Sequence, residues 1–114
     1  MCGIAGAIGA VDGEVIEAVR SMSIAERHRG PDSSGFWVSD PGEGGTGVVL
    51  AHRRLAIIDL SEDGRQPMTD HETGNIVIFN GEIYNFQRLR RELEQGGARF
   101  RSRSDTEVIL KAYA

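Results

Sequence analysis

Apolar positions fall in short blocks along this chain, and their spacing alternates between a period of two and a period near 3.6. Residues 4–8 (Ile-Ala-Gly-Ala-Ile) read as a short buried strand, with Ile4, Gly6 and Ile8 on one face and small residues on the other. Asp12 or Gly13 then opens a helix with Glu14 in its first turn, where negative charge is favoured. Val15, Ile16, Val19 and Met22 make one apolar stripe on it, expected to be core. Cationic Arg27-His28-Arg29, then Gly30-Pro31, end it.

Residues 35–39 read as a strand, residues 40–45 as a Gly- and Pro-bearing loop, and residues 46–52 as another strand. Arg53-Arg54 interrupts the apolar pattern, which resumes over residues 55–59, and residues 60–74 are loop-like. A strand over residues 75–79 ends at Asn80-Gly81. Asn85 can cap a helix that turns Phe86, Leu89 and Leu93 to the core and closes at Gly96-Gly97. Residues 98–101 suggest a short strand. Ser104-Asp105-Thr106-Glu107 fits a capping box for a last helix carrying Val108, Ile109 and Ala112. Strands alternating with helices predict an α+β domain whose sheet is covered by helices. No repeat or linker divides the chain, and the last helix reaches Ala114 without a stop signal, as expected of a part of something longer.

Composition narrows the field. The 114 residues suffice for one small domain with one core. Thirteen basic against 17 acidic residues give a net charge of −4, which argues against a nucleic-acid or acidic-membrane partner. No apolar run is long enough to span a bilayer, and no signal peptide opens the chain. A single cysteine excludes an internal disulfide and fits a reducing, cytoplasmic setting. His28, His52 and His71 lack metal-ligand spacing, so no metal is expected. The 15 glycines imply tight turns and close backbone approaches.

That one cysteine is Cys2, directly behind Met1. A small second residue normally allows the initiator Met to be removed, which would put a thiol and a free α-amine on one residue. An α-amine titrates close to neutral pH, so a useful fraction is unprotonated and can serve as base to a nucleophile beside it. Taken alone, an incidental Cys near a start codon explains the same residues.

Four further segments complete a set: Arg29-Gly30-Pro31-Asp32-Ser33-Ser34-Gly35, Ala51-His52-Arg53-Arg54-Leu55-Ala56-Ile57-Ile58-Asp59, Asn80-Gly81-Glu82-Ile83-Tyr84-Asn85 and Ser104-Asp105-Thr106-Glu107. With Cys2, and in this order, they resemble the class II glutamine amidotransferases, which use an N-terminal cysteine nucleophile. Among these the chain looks most like the glutaminase half of glutamine-dependent asparagine synthetases. The resemblance implies an N-terminal-nucleophile αββα sandwich, with residues 1–114 as a partial glutaminase domain, truncated on its C-terminal side and lacking the synthetase domain. It implies L-glutamine as substrate, no cofactor in this domain, and ATP and Mg²⁺ only in the missing domain. A C-terminal synthetase domain is the implied partner, and a homodimer is left open.

The implied roles follow position by position. Cys2 would attack, with its α-amine accepting the proton. Asn80 (side-chain amide) and Gly81 (backbone N–H) would hold the oxyanion, and Arg54 the substrate α-carboxylate. Glu82 and Asp105 would receive the α-ammonium, and the backbone of Leu55 and Ile57 would line the rest of the pocket. Elementary chemistry agrees: a zwitterion with an amide at its far end needs a cation, an anion and fixed donors for developing negative charge.

Duller explanations stand beside these. Asn80-Gly81 could be a type I′ hairpin turn, Arg53-Arg54 a solvated pair, Asp105 only a helix-start carboxylate. Arg29-Gly30-Pro31-Asp32 reads as a structural turn, and Arg88, Arg90 and Arg91 with Glu92 and Glu94 as a solvated helix face. Two rival readings remain: a catalytically silent piece that at most binds glutamine or a partner, and the glutaminase part of an amidotransferase making glucosamine 6-phosphate or phosphoribosylamine.

Overall fold

A computed structural model describes residues 2–40, 45–55 and 62–114. Among these residues the chain is α+β, with two antiparallel sheets and three helices. The first half is a three-stranded sheet, β1 (Gly3–Ala10), β2 (Ser33–Val38) and β3 (Thr46–Arg54), in the order β1-β3-β2, with helix α1 (Gly13–Ala25) packed against β1 and β3. The second half holds a 3-10 turn at Glu62–Gly64 and a two-stranded ribbon, β4 (Met68–Thr69) with β5 (Ile76–Val77). Helices α2 (Phe86–Gln95) and α3 (Asp105–Tyr113) follow; α3 packs on both the ribbon and α2.

The α1 expectations hold at its start. Asp12 is the N-cap and its carboxylate accepts the Val15 N–H at 2.9 Å. Val19 is fully buried among Val49 and Ala51, with Ala5, Ala7, Val15, Ile16 and Phe36 packed around them. Burying Val19 and Val49 stabilises the fold by roughly 1.5–3 kcal/mol each. Met22, expected in the stripe, is instead exposed, and Ser23 takes the buried place one residue on, where its carbonyl and hydroxyl both accept from Arg53 Nε. The helix proper stops at Ala25, and residues 26–29 form a hydrogen-bonded turn rather than a last helical turn.

The β1 prediction is right about the strand and about which residues share a face, but the isoleucines are not buried as expected. Ile4 and Ile8 point away from α1 and are exposed, Ile8 at 80%, while the small residues Ala5 and Ala7 face the helix. The register explains it: Ile8 pairs with Val48, Gly6 with Leu50 and Ile4 with His52, so these share one sheet face. Small side chains on the other face let α1 approach closely. Helix burial follows fit here, not hydrophobicity alone.

Other boundaries also shift. β3 continues through Arg53 and Arg54, because both pair with β1 or β2, so the charged pair does not interrupt the strand. Only Leu55 of the expected segment 55–59 lies among the described residues. The loop-like span 60–74 contains the 3-10 turn and β4, and the strand expected over 75–79 is reduced to the two residues of β5. Residues 98–101 form no strand. Arg101 and Ser102 instead fold over the buried Glu107, whose carboxylate accepts both of their backbone N–H groups. That use of Glu107 replaces the expected capping box. Ser104 does cap α3, through the Thr106 N–H, but Glu107 reaches back to residues 101 and 102, with Ser102 Oγ its closest donor at 2.6 Å.

Helix α2 lies on the surface with Phe86, Leu89 and Leu93 only half-buried. Asn85 sits at its N-cap position without a side-chain cap bond. Arg88, Arg91, Glu92 and Glu94 are exposed as expected, with Arg88 paired to Glu92. Arg90 is instead half-buried: it pairs with Glu94, lies over the Phe100 ring and donates to the Ser102 carbonyl at 2.6 Å. Lys111 of α3 pairs with the buried Asp70 at 3.1 Å and so fastens the helix to the ribbon turn. No helix among the described residues is long and apolar enough to cross a membrane.

Candidate active site

The end of β3 positions one wall of the site. Gly30 lies so close to the Arg53–Arg54 backbone that a Cβ there would meet the Arg53 carbonyl and the Arg54 nitrogen. The turn that follows is stitched to the strand: the Asp32 N–H donates to the Arg54 carbonyl at 3.0 Å. This segment therefore has the structural part assigned to it from sequence. Arg29 adds something the sequence did not suggest, since its Nε donates to the Cys2 carbonyl at 3.1 Å and holds the chain start against the sheet.

Cys2 is half-buried beside Leu55. The Leu55 N–H donates to the sulfur at 3.4 Å, and the thiol lies 3.8 Å from the Leu55 carbonyl. These bonds aim the sulfur into a cavity of about 370 Å³. Cys2, Arg54, Leu55, Asn80, Gly81, Glu82 and Asp105 all line it, brought from four separate stretches of sequence. Ile57 lies outside the described residues.

The cavity lining carries buried charge of both signs. Arg54, 9% exposed, supplies a cation at the end of β3; Asp105, 6% exposed, supplies an anion at the start of α3. Asp105 does more than favour a helix start: its Oδ2 accepts the Ile83 N–H at 2.9 Å and ties the segment after Asn80-Gly81 to α3. Asn80-Gly81 is not a type I′ turn. Neither residue has positive φ, and β5 ends at Val77 with no partner strand following residue 81. Asn80 is half-buried, whereas Gly81 and Glu82 are exposed at the rim.

The sequence reading missed several lining residues, among them Gln66, Phe79, Tyr84, Ser104 and Thr106. Ser104 and Thr106 stood inside a quoted motif but were read as a cap. Gln66 had no signal, being a single polar residue in an aperiodic stretch. It is nevertheless 9% exposed, and its amide oxygen accepts the Phe79 N–H at 2.6 Å. Behind Phe79 lies His52, 1% exposed, with Nε2 at 3.3 Å from the Phe79 carbonyl and Nδ1 without a partner among the described residues. Burial lowers the His52 pKa from its ordinary value, the Arg54 charge acts in the same direction, and the bond to Phe79 opposes both.

The chain matches the glutamine amidotransferase domain family over residues 1–114. It is 40% identical over 117 residues to an asparagine synthetase (glutamine-hydrolysing) of Bacillus subtilis, covering 99% of this chain and 17% of the relative. An asparagine synthetase of Arabidopsis thaliana is 39% identical over 115 residues, with 99% and 18% covered. A putative one of Methanocaldococcus jannaschii is 39% identical over 127 residues, with 99% and 24% covered. The chain thus spans about a fifth of the length of these curated relatives.

Proposed function

The chain belongs to the glutamine amidotransferase domain family, an enzyme family, and on that footing we propose that it hydrolyses L-glutamine to glutamate and ammonia through a thioester on Cys2. With Met1 removed, the α-amine of Cys2 takes the thiol proton and the sulfur attacks the side-chain amide carbon. The oxyanion that forms is held by the Asn80 side-chain amide and the Gly81 N–H. Collapse expels ammonia, protonated from the α-ammonium, and leaves an acyl–sulfur bond. Water, deprotonated by the same amine, then cleaves the thioester and releases glutamate. Arg54 pairs with the α-carboxylate in a bidentate fork, Asp105 and Glu82 receive the α-ammonium of the substrate, and Leu55 lines the rest of the pocket.

The single observation that carries this reading is the cavity itself. Its one cysteine, its buried cation and its buried anion come from three distant parts of the sequence and line one space of about 370 Å³. A lining that holds buried charge of both signs suits a zwitterion.

The destination of the ammonia and the full fold are part of the same proposal. The relatives are named as asparagine synthetases and the chain covers a small share of each. We therefore assign the ammonia to asparagine synthesis from aspartate in a separate, ATP- and Mg²⁺-dependent region. The fold is read as an N-terminal-nucleophile αββα sandwich. In support, the sheet face opposite α1 presents exposed Ile4 and Ile8 beside half-buried Val48 and Leu50, an apolar face suited to a second sheet of the same polypeptide.

An electrophilic glutamine analogue tests the chemistry. It should add once, at Cys2, with protection by excess glutamine, and Cys2→Ala should abolish both labelling and ammonia release. Ammonia release undiminished by Cys2→Ala would overturn the mechanism.

A further inference from the structure

The pocket has two functional walls that belong to different parts of the fold, the Asn80-Gly81 segment and the start of α3. Besides the Asp105–Ile83 bond, one buried side chain of the lining bridges them. Gln66 Oε1 accepts the Phe79 N–H at 2.6 Å, and Gln66 Nε2 donates to Thr106 Oγ1 at 3.1 Å. Phe79 immediately precedes Asn80, and Thr106 immediately follows Asp105. The amide orientation is fixed by its partners, because a backbone N–H can only donate and must meet the oxygen. On its other side the same Phe79 residue meets the His52 ring, whose Nε2 lies 3.3 Å from the Phe79 carbonyl. A carbonyl only accepts, so Nε2 carries the hydrogen.

All three supporting side chains are buried: Gln66 at 9%, His52 at 1% and Thr106 at 2% exposure. Gln66 reaches this place because Gly35 leaves room for it. Gly35 stands beside His52 on the sheet, and a Cβ there would collide with the Gln66 carbonyl. We propose that Gln66, with His52 opposing it across Phe79, is a positioning residue that sets the Asn80 and Gly81 donors at a fixed separation from Asp105. The inference rests on the glutaminase reading above. It adds that a buried amide, working alongside the Asp105–Ile83 bond, holds the oxyanion donors and the ammonium-binding carboxylate in register.

The physical consequence is selective. Oxyanion donors act on the transition state, so their displacement lowers kcat while leaving ground-state binding largely intact. Hydrogen bonds made by Gln66 also contribute to stability, so a loss of activity alone would not separate positioning from folding.

The test uses the mature chain with two substitutions. Gln66→Leu removes both bonds at similar volume, whereas Gln66→Glu keeps an acceptor for the Phe79 N–H and lets the Thr106 hydroxyl donate. Gln66→Leu should lower kcat for ammonia release by about 10–100-fold, with KM changed by no more than about twofold. Backbone amide exchange at Phe79 should quicken in parallel. Gln66→Glu should restore the slow exchange and at least part of kcat. Should Gln66→Leu not fold, Thr106→Val cuts only the far bond and should still lower kcat at steady KM. An unchanged kcat in the folded variants, a change in KM alone, or unchanged exchange at Phe79 would overturn the proposal. A parent chain that neither releases ammonia nor is labelled at Cys2 sinks the glutaminase reading instead, and the clamp then stands or falls on the exchange at Phe79.

Discussion

The Leu55 backbone N–H donates to the Cys2 sulfur at 3.4 Å, across 53 positions of sequence. The contact fixes where the nucleophile points before any substrate arrives. It leaves the question of the base, because a Cys2 nitrogen joined to Met1 is an amide and cannot accept a proton. Intact-mass measurement of active material should therefore show a chain lacking Met1. A form that retains Met1, or carries any extension before Cys2, should fall to the activity of Cys2→Ala. Full activity with Met1 in place would remove the α-amine from the mechanism.

Asn80 and Arg54 line the same cavity but should fail differently. Asn80→Ala removes an oxyanion donor, a loss that typically costs about 10²–10³ in rate, with KM nearly steady. Arg54→Lys keeps the charge but loses the forked pair with a carboxylate, so it should chiefly raise KM, by about tenfold. Steady-state ammonia release as a function of glutamine concentration separates the two. The opposite pattern would exchange their roles.

What could be read from sequence follows from which features repeat. The start of helix α1 was legible because a cap and an apolar stripe agree on it, and Asp12 and Val19 behave as expected, whereas its end at Ala25 precedes the stop signal at residues 27–31. The face of β1 that the helix covers was not legible, since a strand with apolar residues on both sides gives no sign of which side a helix will take; Ala5 and Ala7 won by size. At the site, Cys2, Arg54, Asn80 and Asp105 were found because each stands in a recognisable motif. Gln66 and Thr106 escaped because their partners, Phe79 and each other, lie 13 and 40 positions away. A hydrogen bond at that range leaves no periodic trace.

Glu107 replaces an expected capping box by a tighter arrangement. Its buried carboxylate accepts from Arg101 N (2.9 Å), Ser102 N (2.7 Å) and Ser102 Oγ (2.6 Å). Glu107→Gln keeps the shape but makes these bonds neutral and turns a donor toward donors. The expected cost is about 1.5–3 kcal/mol, from the strength of hydrogen bonds to charged groups. Because this fold holds residues 101 and 102 just before Asp105, a urea titration should show the loss together with faster amide exchange at Ser102. A variant as stable as the parent would show that the carboxylate charge contributes nothing.

His52 gives the fold an acid sensitivity with a definite sign. Burial, joined by the Arg54 charge, holds its pKa below the ordinary 6.5 despite the Phe79 bond. Above about 6.5 the ring is neutral in both folded and unfolded chains, and the fold has its full stability. Below that value the unfolded chain takes up a proton that the folded chain resists, so stability declines as pH falls toward the depressed folded value. Asp70 acts in a lower window. Burial raises its pKa, but bonds from the Glu72 N–H, Lys111 and Thr73 outweigh that and bring it below 3.8, so its contribution is kept above that value and lost as pH falls through the folded one. The urea midpoint of the parent should thus decline between pH 7 and pH 5. His52→Gln, whose amide can still donate to the Phe79 carbonyl, should start lower but lose that slope, and Asp70→Asn should leave the slope in this window intact. A parent midpoint that is flat from pH 7 to pH 5, or an equal slope in His52→Gln, would contradict a neutral buried ring at this position.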